Sequence, residues 1–206
     1  MNKIISVTPT EKEVSLTWML GSRCNYDCMY CPTELHDSTS AIPELSTLCQ
    51  IWDKFYHNTR QLNLPYKISF TGGEVTANKN FLPLLEYIKT TAKAKVKILF
   101  TTNGSAGLEY YKRACDLVDS ISFSSHSEFF DEQKFFDKAV AINHLLVRPE
   151  KSFHVNVMDE WWIQDRIKLY TEFLTKHDIS YSVNHVNYSA QIRNIPIKQG
   201  VYNLDA

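Results

Sequence analysis

From residue 15 onward, short β-rich runs take turns with segments whose apolar positions recur at helical spacing. The first run is SLTWML (15–20). A helix is predicted from about Pro43, a residue suited to a first turn, with Leu45, Leu48, Ile51, Trp52, Phe55 and Tyr56 on one face. KISFTGGE (67–74) reads as a second strand stopped by two glycines, followed by a helix near 79–92. KILFTTNG (97–104) is the third, ending in another glycine turn, with a helix near 107–118. SISFSSHSE (120–128) leads into a helix striped by Phe135, Phe136, Ala139, Val140 and Leu146. SFHVNVMDE (152–160) leads into one carrying Ile163, Ile167, Tyr170 and Leu174, and SYSVNHVN (180–187) is the sixth strand.

Six strands separated by five helices imply right-handed crossovers and a mainly parallel sheet. The Ile, Val and Phe content of the runs predicts strands buried on both faces. A complete eightfold barrel takes about 250 residues, and here only a short tail follows the sixth strand. The expected fold class is therefore α/β, an open, partial (β/α)6 barrel with a parallel sheet. The expected organisation is an N-terminal extension at 1–14, one core domain at 15–187 and a C-terminal tail at 188–206.

Composition supports one globular unit: 206 residues, 44% hydrophobic and 22% charged, enough to bury a sizeable core. A net charge of −1 gives no electrostatic reason to expect nucleic acid or an anionic membrane as partner. The first residues lack the apolar stretch of a signal peptide, and no run is long enough to span a membrane, so a cytoplasmic protein is expected.

Nearly every strand ends in polar or glycine residues: GSRC, TGGE, TTNG, SSHSE and MDE. Parallel α/β folds build their sites at these C-terminal strand ends, which predicts that the five segments face one cavity. The first of them opens a cysteine loop. Three of the five cysteines, Cys24, Cys28 and Cys31, crowd into eight residues as C-x3-C-x2-C. An odd count so clustered argues against a secreted disulfide framework and for thiolates on a metal. Zinc in a structural site takes a fourth protein ligand, for which His36 and Asp37 are candidates. An iron–sulfur cluster on three cysteines instead leaves one iron open to an exogenous ligand. Spacing by itself leaves both open.

The C-x3-C-x2-C spacing, with the aromatic Tyr30 directly before the last cysteine, resembles that of radical S-adenosylmethionine enzymes, and the resemblance extends over roughly residues 15–187. It implies a [4Fe–4S] cluster on Cys24, Cys28 and Cys31 whose open iron chelates S-adenosylmethionine. One electron then breaks a carbon–sulfur bond to give methionine and a 5′-deoxyadenosyl radical. Gly72, Gly73 and Glu74 are similar to the family's GGE motif, which holds the methionine amino group; glycines allow close backbone approach, and a carboxylate accepts from an ammonium. Asn103 of the TNG turn is implied to face the cavity. Ser124, with His126 beside it, is implied at the ribose. Asn156 and Met158 are further cofactor contacts by the same likeness, and His185 lies on the strand expected at adenine. Cys49 and Cys115 fall within helical segments and read as core residues. Trp161 and Trp162 follow the fifth strand, one as a candidate pocket wall and at least one as core.

These motifs report the cofactor and leave the reaction open. The expected chemistry is hydrogen abstraction from a small molecule or a peptide, sensitive to oxygen and fed by a low-potential donor such as flavodoxin or ferredoxin. An activase of a glycyl radical enzyme is the alternative within the class. A metal-binding scaffold without radical chemistry and an interaction module with a zinc-stabilised loop are the alternatives outside it. In the tail, Arg193 and Lys198 are available to an anionic group.

Overall fold

The computed structural model describes residues 3–10, 13–32, 35–146 and 149–186. A seven-stranded sheet runs in chain order: β1 (Lys3–Thr10), β2 (Glu13–Met19), β3 (Tyr66–Thr71), β4 (Val96–Thr102), β5 (Ser120–Ser125), β6 (Ser152–Asp159) and β7 (Ser180–His185). Pairing from β2 to β7 is parallel throughout. The crossovers carry α1 (Leu45–Thr59), α2 (Phe81–Thr91), α3 (Leu108–Leu117), α4 (Glu132–Leu145) and α5 (Gln164–Lys176). This is the open (β/α)6 architecture that the alternation of runs predicts. The segment before residue 15 adds β1, antiparallel to β2, with register from Lys3 opposite Met19 to Thr10 opposite Glu13 and an irregularity between Ile4 and Ser6. Positions 188–206, with Arg193 and Lys198, lie outside the described residues.

Strands β2 to β6 are buried mainly on one face, and the edge strand β7 is largely exposed on both, which corrects the expectation of burial on both. Val14, Leu16 and Trp18 of β2, Ile68 and Phe70 of β3, and Val155 and Val157 of β6 are each at most 1% exposed, whereas their neighbours in between are only partly covered. Side chains alternate across a strand, and the buried set forms one core with the helices. Aromatic rings carry that core across the sheet: Trp18 stacks on Phe70 at 5.5 Å, Phe70 meets Phe81 at 5.2 Å, Phe81 meets Phe100 at 5.2 Å, and Phe123 meets Phe153 at 5.1 Å. The opposite, helix-free face is polar. On it Asn156 Oδ1 accepts from Ser182 Oγ and from Asn184 Nδ2, both at 3.2 Å, and His154 bridges Ser180 and Ser182.

Between α4 and α5, the buried Glu132 accepts from Arg166 and from the Tyr170 hydroxyl at 2.8 Å, which ties the two helices together. Among the described residues, no helix is long and apolar enough to cross a membrane.

Candidate functional site

The loop after β2 does not hang free; the ends of four other strands hold it. First, the parallel ladder between β2 and β3 continues past both strands. Leu20 N donates to Thr71 O at 3.0 Å, Gly73 N to Gly21 O at 2.8 Å, and Glu74 N to Arg23 O at 2.8 Å. The close approach explains the glycines. A Cβ on Gly73 would lie 2.3 Å from Arg23 O and 2.4 Å from Ser22 O, and Gly72 has φ +136°, a backbone conformation that favours glycine. Both glycines thus serve the loop that carries the cysteines.

Glu74 is turned inward and 4% exposed. Its Oε1 accepts from Thr76 N at 2.9 Å, Thr76 Oγ1 at 2.7 Å and Thr102 Oγ1 at 2.7 Å, and its Oε2 accepts from Asn103 N at 2.7 Å. The carboxylate therefore joins the ends of β3 and β4. Asn103 passes the connection on: its Nδ2 donates to Asn25 Oδ1 at 2.9 Å, and Asn25 Nδ2 donates to Ser105 Oγ at 3.0 Å. Asn25 directly follows Cys24.

From β5 and β6 come two acidic residues. Glu128 accepts from Met29 N at 3.1 and 3.3 Å through its two oxygens. Glu160, 0% exposed, accepts from the Tyr30 hydroxyl at 2.8 Å, and from Ser127 through its N–H and its hydroxyl. The Tyr30 hydroxyl lies 2.5 Å from His126 Nδ1 as well. With the Tyr30 hydroxyl proton given to Glu160, a hydrogen bond between that hydroxyl and His126 requires the imidazole to carry its proton on Nδ1. Burial depresses the His126 pKa to about 4, so the ring is neutral, and raises that of Glu160 to about 7.

Glu160 was missed by sequence reasoning, although it ends the MDE segment already assigned to the site. Its raised value has a measurable consequence. A carboxyl that titrates near 7 folded and near its ordinary value unfolded takes up a proton on folding. Stability is then highest below the unfolded value and falls as pH rises through the folded one, by on the order of 3 kcal/mol. Denaturation of the cluster-free protein at about pH 5 and about pH 8 is expected to show that loss, and Glu160→Gln to remove most of it. Parallel pH profiles for the two proteins would count against the assignment.

Among the three cysteines, Cys28 is buried and the others are half-buried; all are free thiols. Burial is the first cause that raises each of them, and mutual repulsion adds to it: Cys28 feels Cys24 and Cys31, and Cys31 feels Cys24. The two candidates for a fourth ligand are otherwise engaged. His36 uses Nε2 on Asp27 at 2.9 Å and Nδ1 on Pro32 O at 3.1 Å. Asp37 accepts from Thr39 N at 2.8 Å, and from Ser40 N and Ser40 Oγ at 2.5 Å each. Among the described residues, no three His, Cys, Asp or Glu side chains converge as a single-ion site. The donor set is three thiols on one loop, which fits a three-cysteine iron–sulfur cluster with an open ligand position. A cleft of about 410 Å³ opens beside Cys24 between Tyr26, Asp37 and Phe129, within the size range of small-molecule sites.

The remaining expected contacts divide. Ser124 and Asn156 meet across β5 and β6 at 3.4 Å on the helix-free face, and Met158 N donates to Ser125 Oγ at 3.1 Å. His185 does not join them: its side chain is 84% exposed on the edge strand and pairs with Asp159 at 3.2 Å. Trp162 donates to Ser127 Oγ at 2.7 Å and packs on the core, and Trp161 is 57% exposed.

No family model matches the sequence, and no curated protein matches it. Solved structures do match the fold. Streptococcus suis SuiB bound to the precursor peptide SuiA aligns with TM-score 0.62 and 16% identity, over 88% of this chain and 42% of that one. SuiB bound to S-adenosylmethionine aligns with TM-score 0.60 and 15% identity, over 89% and 44%. This chain therefore spans less than half the length of those solved chains, and at such identity the likeness is one of fold.

Proposed function

We propose that this chain, whose fold is that of the radical S-adenosylmethionine superfamily, is an enzyme that carries a [4Fe–4S] cluster on Cys24, Cys28 and Cys31 and binds S-adenosylmethionine. When bound, the cluster supplies one electron for reductive cleavage of S-adenosylmethionine to methionine and a 5′-deoxyadenosyl radical, which takes a hydrogen atom from the substrate. The observation that carries this reading is the cysteine loop itself: three thiols, both candidate fourth ligands engaged elsewhere, and the loop clamped by the ends of β3, β4, β5 and β6.

The protein's own contribution is to hold and to exclude. The strand ends fix the loop, and the polar face of β5 to β7, with Ser124, Asn156, Ser182 and Asn184, offers hydrogen bonds to the ribose and to a substrate beside it. The substrate is a small molecule or a peptide; a precursor peptide is what SuiB holds in its structure. Low-potential electrons come from a flavodoxin or ferredoxin, and a reducing cytoplasm keeps the thiols available.

The test is anaerobic reconstitution followed by addition of dithionite and S-adenosylmethionine. A brown protein with about four iron and four sulfide per chain that forms 5′-deoxyadenosine is expected. A colourless protein holding one zinc and no iron would sink the proposal in favour of a zinc-stabilised module.

A further inference from the structure

Residues 28–31 run from the second thiol to the third. Within them Cys31 N donates to Cys28 O at 3.0 Å, closing a tight turn. The two residues inside the turn are held from below by acidic side chains from distant strands. Met29 offers its backbone N–H to Glu128, and Tyr30 offers its hydroxyl to Glu160. His126 stacks on the Tyr30 ring with centroids 5.9 Å apart and meets the same hydroxyl. Glu160 is itself anchored: Ser127 donates to it twice, Trp162 donates to Ser127, and its backbone carbonyl accepts from Ile163 N and from Gln164.

We propose that Glu160 is a positioning residue for the cluster: acting through the Tyr30 hydroxyl, it presets the turn that presents Cys28 and Cys31. This rests on the cluster reading above and goes beyond it. A buried carboxylate whose hydrogen-bond partners among the described residues, Tyr30 and Ser127, are all neutral costs stability, and a neutral side chain of similar shape would avoid that cost. Such a group persists where a function needs its geometry. The geometry here is acceptance: Glu160 takes three hydrogen bonds, and the one from Tyr30 reaches the metal-binding turn one residue before Cys31. Tyr30 Oη, caught between His126 and Glu160, has little freedom left, and the ring fixes the backbone that carries the thiol.

The experiment compares wild type, Tyr30→Phe, Glu160→Ala and Glu160→Gln after identical anaerobic reconstitution. It reads iron per chain and the electron paramagnetic resonance spectrum of the reduced cluster. Tyr30→Phe, which removes one oxygen and keeps the ring, is expected to lower iron incorporation several-fold and to shift the spectrum of what is incorporated. Glu160→Ala is expected to do the same, and Glu160→Gln, which retains an acceptor for Tyr30, to restore loading and spectrum. Full loading with an unshifted spectrum in Tyr30→Phe would overturn the proposal, whatever the thermal stability of the variants. A wild-type protein that takes up no iron would overturn the cluster reading, and this inference with it.

Discussion

Cys28→Ala protein, reconstituted without oxygen, is expected to carry no [4Fe–4S] cluster and to form no 5′-deoxyadenosine, while remaining folded. The reason lies in the lack of a substitute ligand among the described residues. The ring nitrogens of His36 face Pro32 O and Asp27, and both carboxylate oxygens of Asp37 accept hydrogen bonds. Cys49 and Cys115 belong to α1 and α3, on the side of the sheet away from its polar face. Two remaining thiols on a loop fixed at Cys24 and at Met29 cannot migrate to new positions. Stability of the cluster-free chain changes little by comparison, because Cys28 is one small side chain beside a core built from aromatic contacts. Iron and sulfide analysis with denaturation of the cluster-free form separates the two effects. Loading at the wild-type level would remove Cys28 from the ligand set.

The same three thiols predict how loading depends on pH. Burial holds all of them above the ordinary thiol value, helped by nearby acidic groups and, at Cys28 and Cys31, by the other thiols, so a metal would have to displace protons that are unusually tightly held, and binding is expected to strengthen as pH rises.

Local pattern explains what was legible in the chain. Strand and helix follow from periods of two and of about 3.6, and the cysteine spacing is contained in eight residues, so the βα alternation and the clustered-cysteine loop at a strand end could both be read directly. The one-faced burial was also present in the letters: in SLTWML and SFHVNV a polar residue tends to alternate with an apolar one. Counting Ile, Val and Phe obscured it, because composition carries no phase. The clamps were not legible. Tyr30 and Glu160 are 130 positions apart, Met29 and Glu128 are 99, and nothing local marks such pairs. Position 160 shows only an acid at a strand end, which a solvated carboxylate would show equally. For the GGE segment, the family resemblance supplied the expected motif and left the direction of the carboxylate open.

That direction decides the last prediction. Glu74→Ala is expected to destabilise the cluster-free protein by about 3 kcal/mol, since it strands the buried Asn103 N–H and the part-buried Thr76 N–H and removes two hydroxyl bonds, a buried orphaned donor costing about 1–3 kcal/mol. The Thr102 hydroxyl can turn to Tyr111 Oη at 3.1 Å, whereas the buried Asn103 N–H loses its carboxylate acceptor. Glu74→Gln keeps one oxygen and places an amide against the other donors, so it should recover part of the loss. Two roles are then separable. If the carboxylate acts inside the fold, stability falls in the order wild type, Gln, Ala, and the loaded Gln variant binds S-adenosylmethionine with near wild-type affinity. If it holds the methionine ammonium, as the family resemblance implies, affinity falls in both variants while stability stays level. The four internal hydrogen bonds argue for the first result, with the ammonium left to other groups at the strand ends.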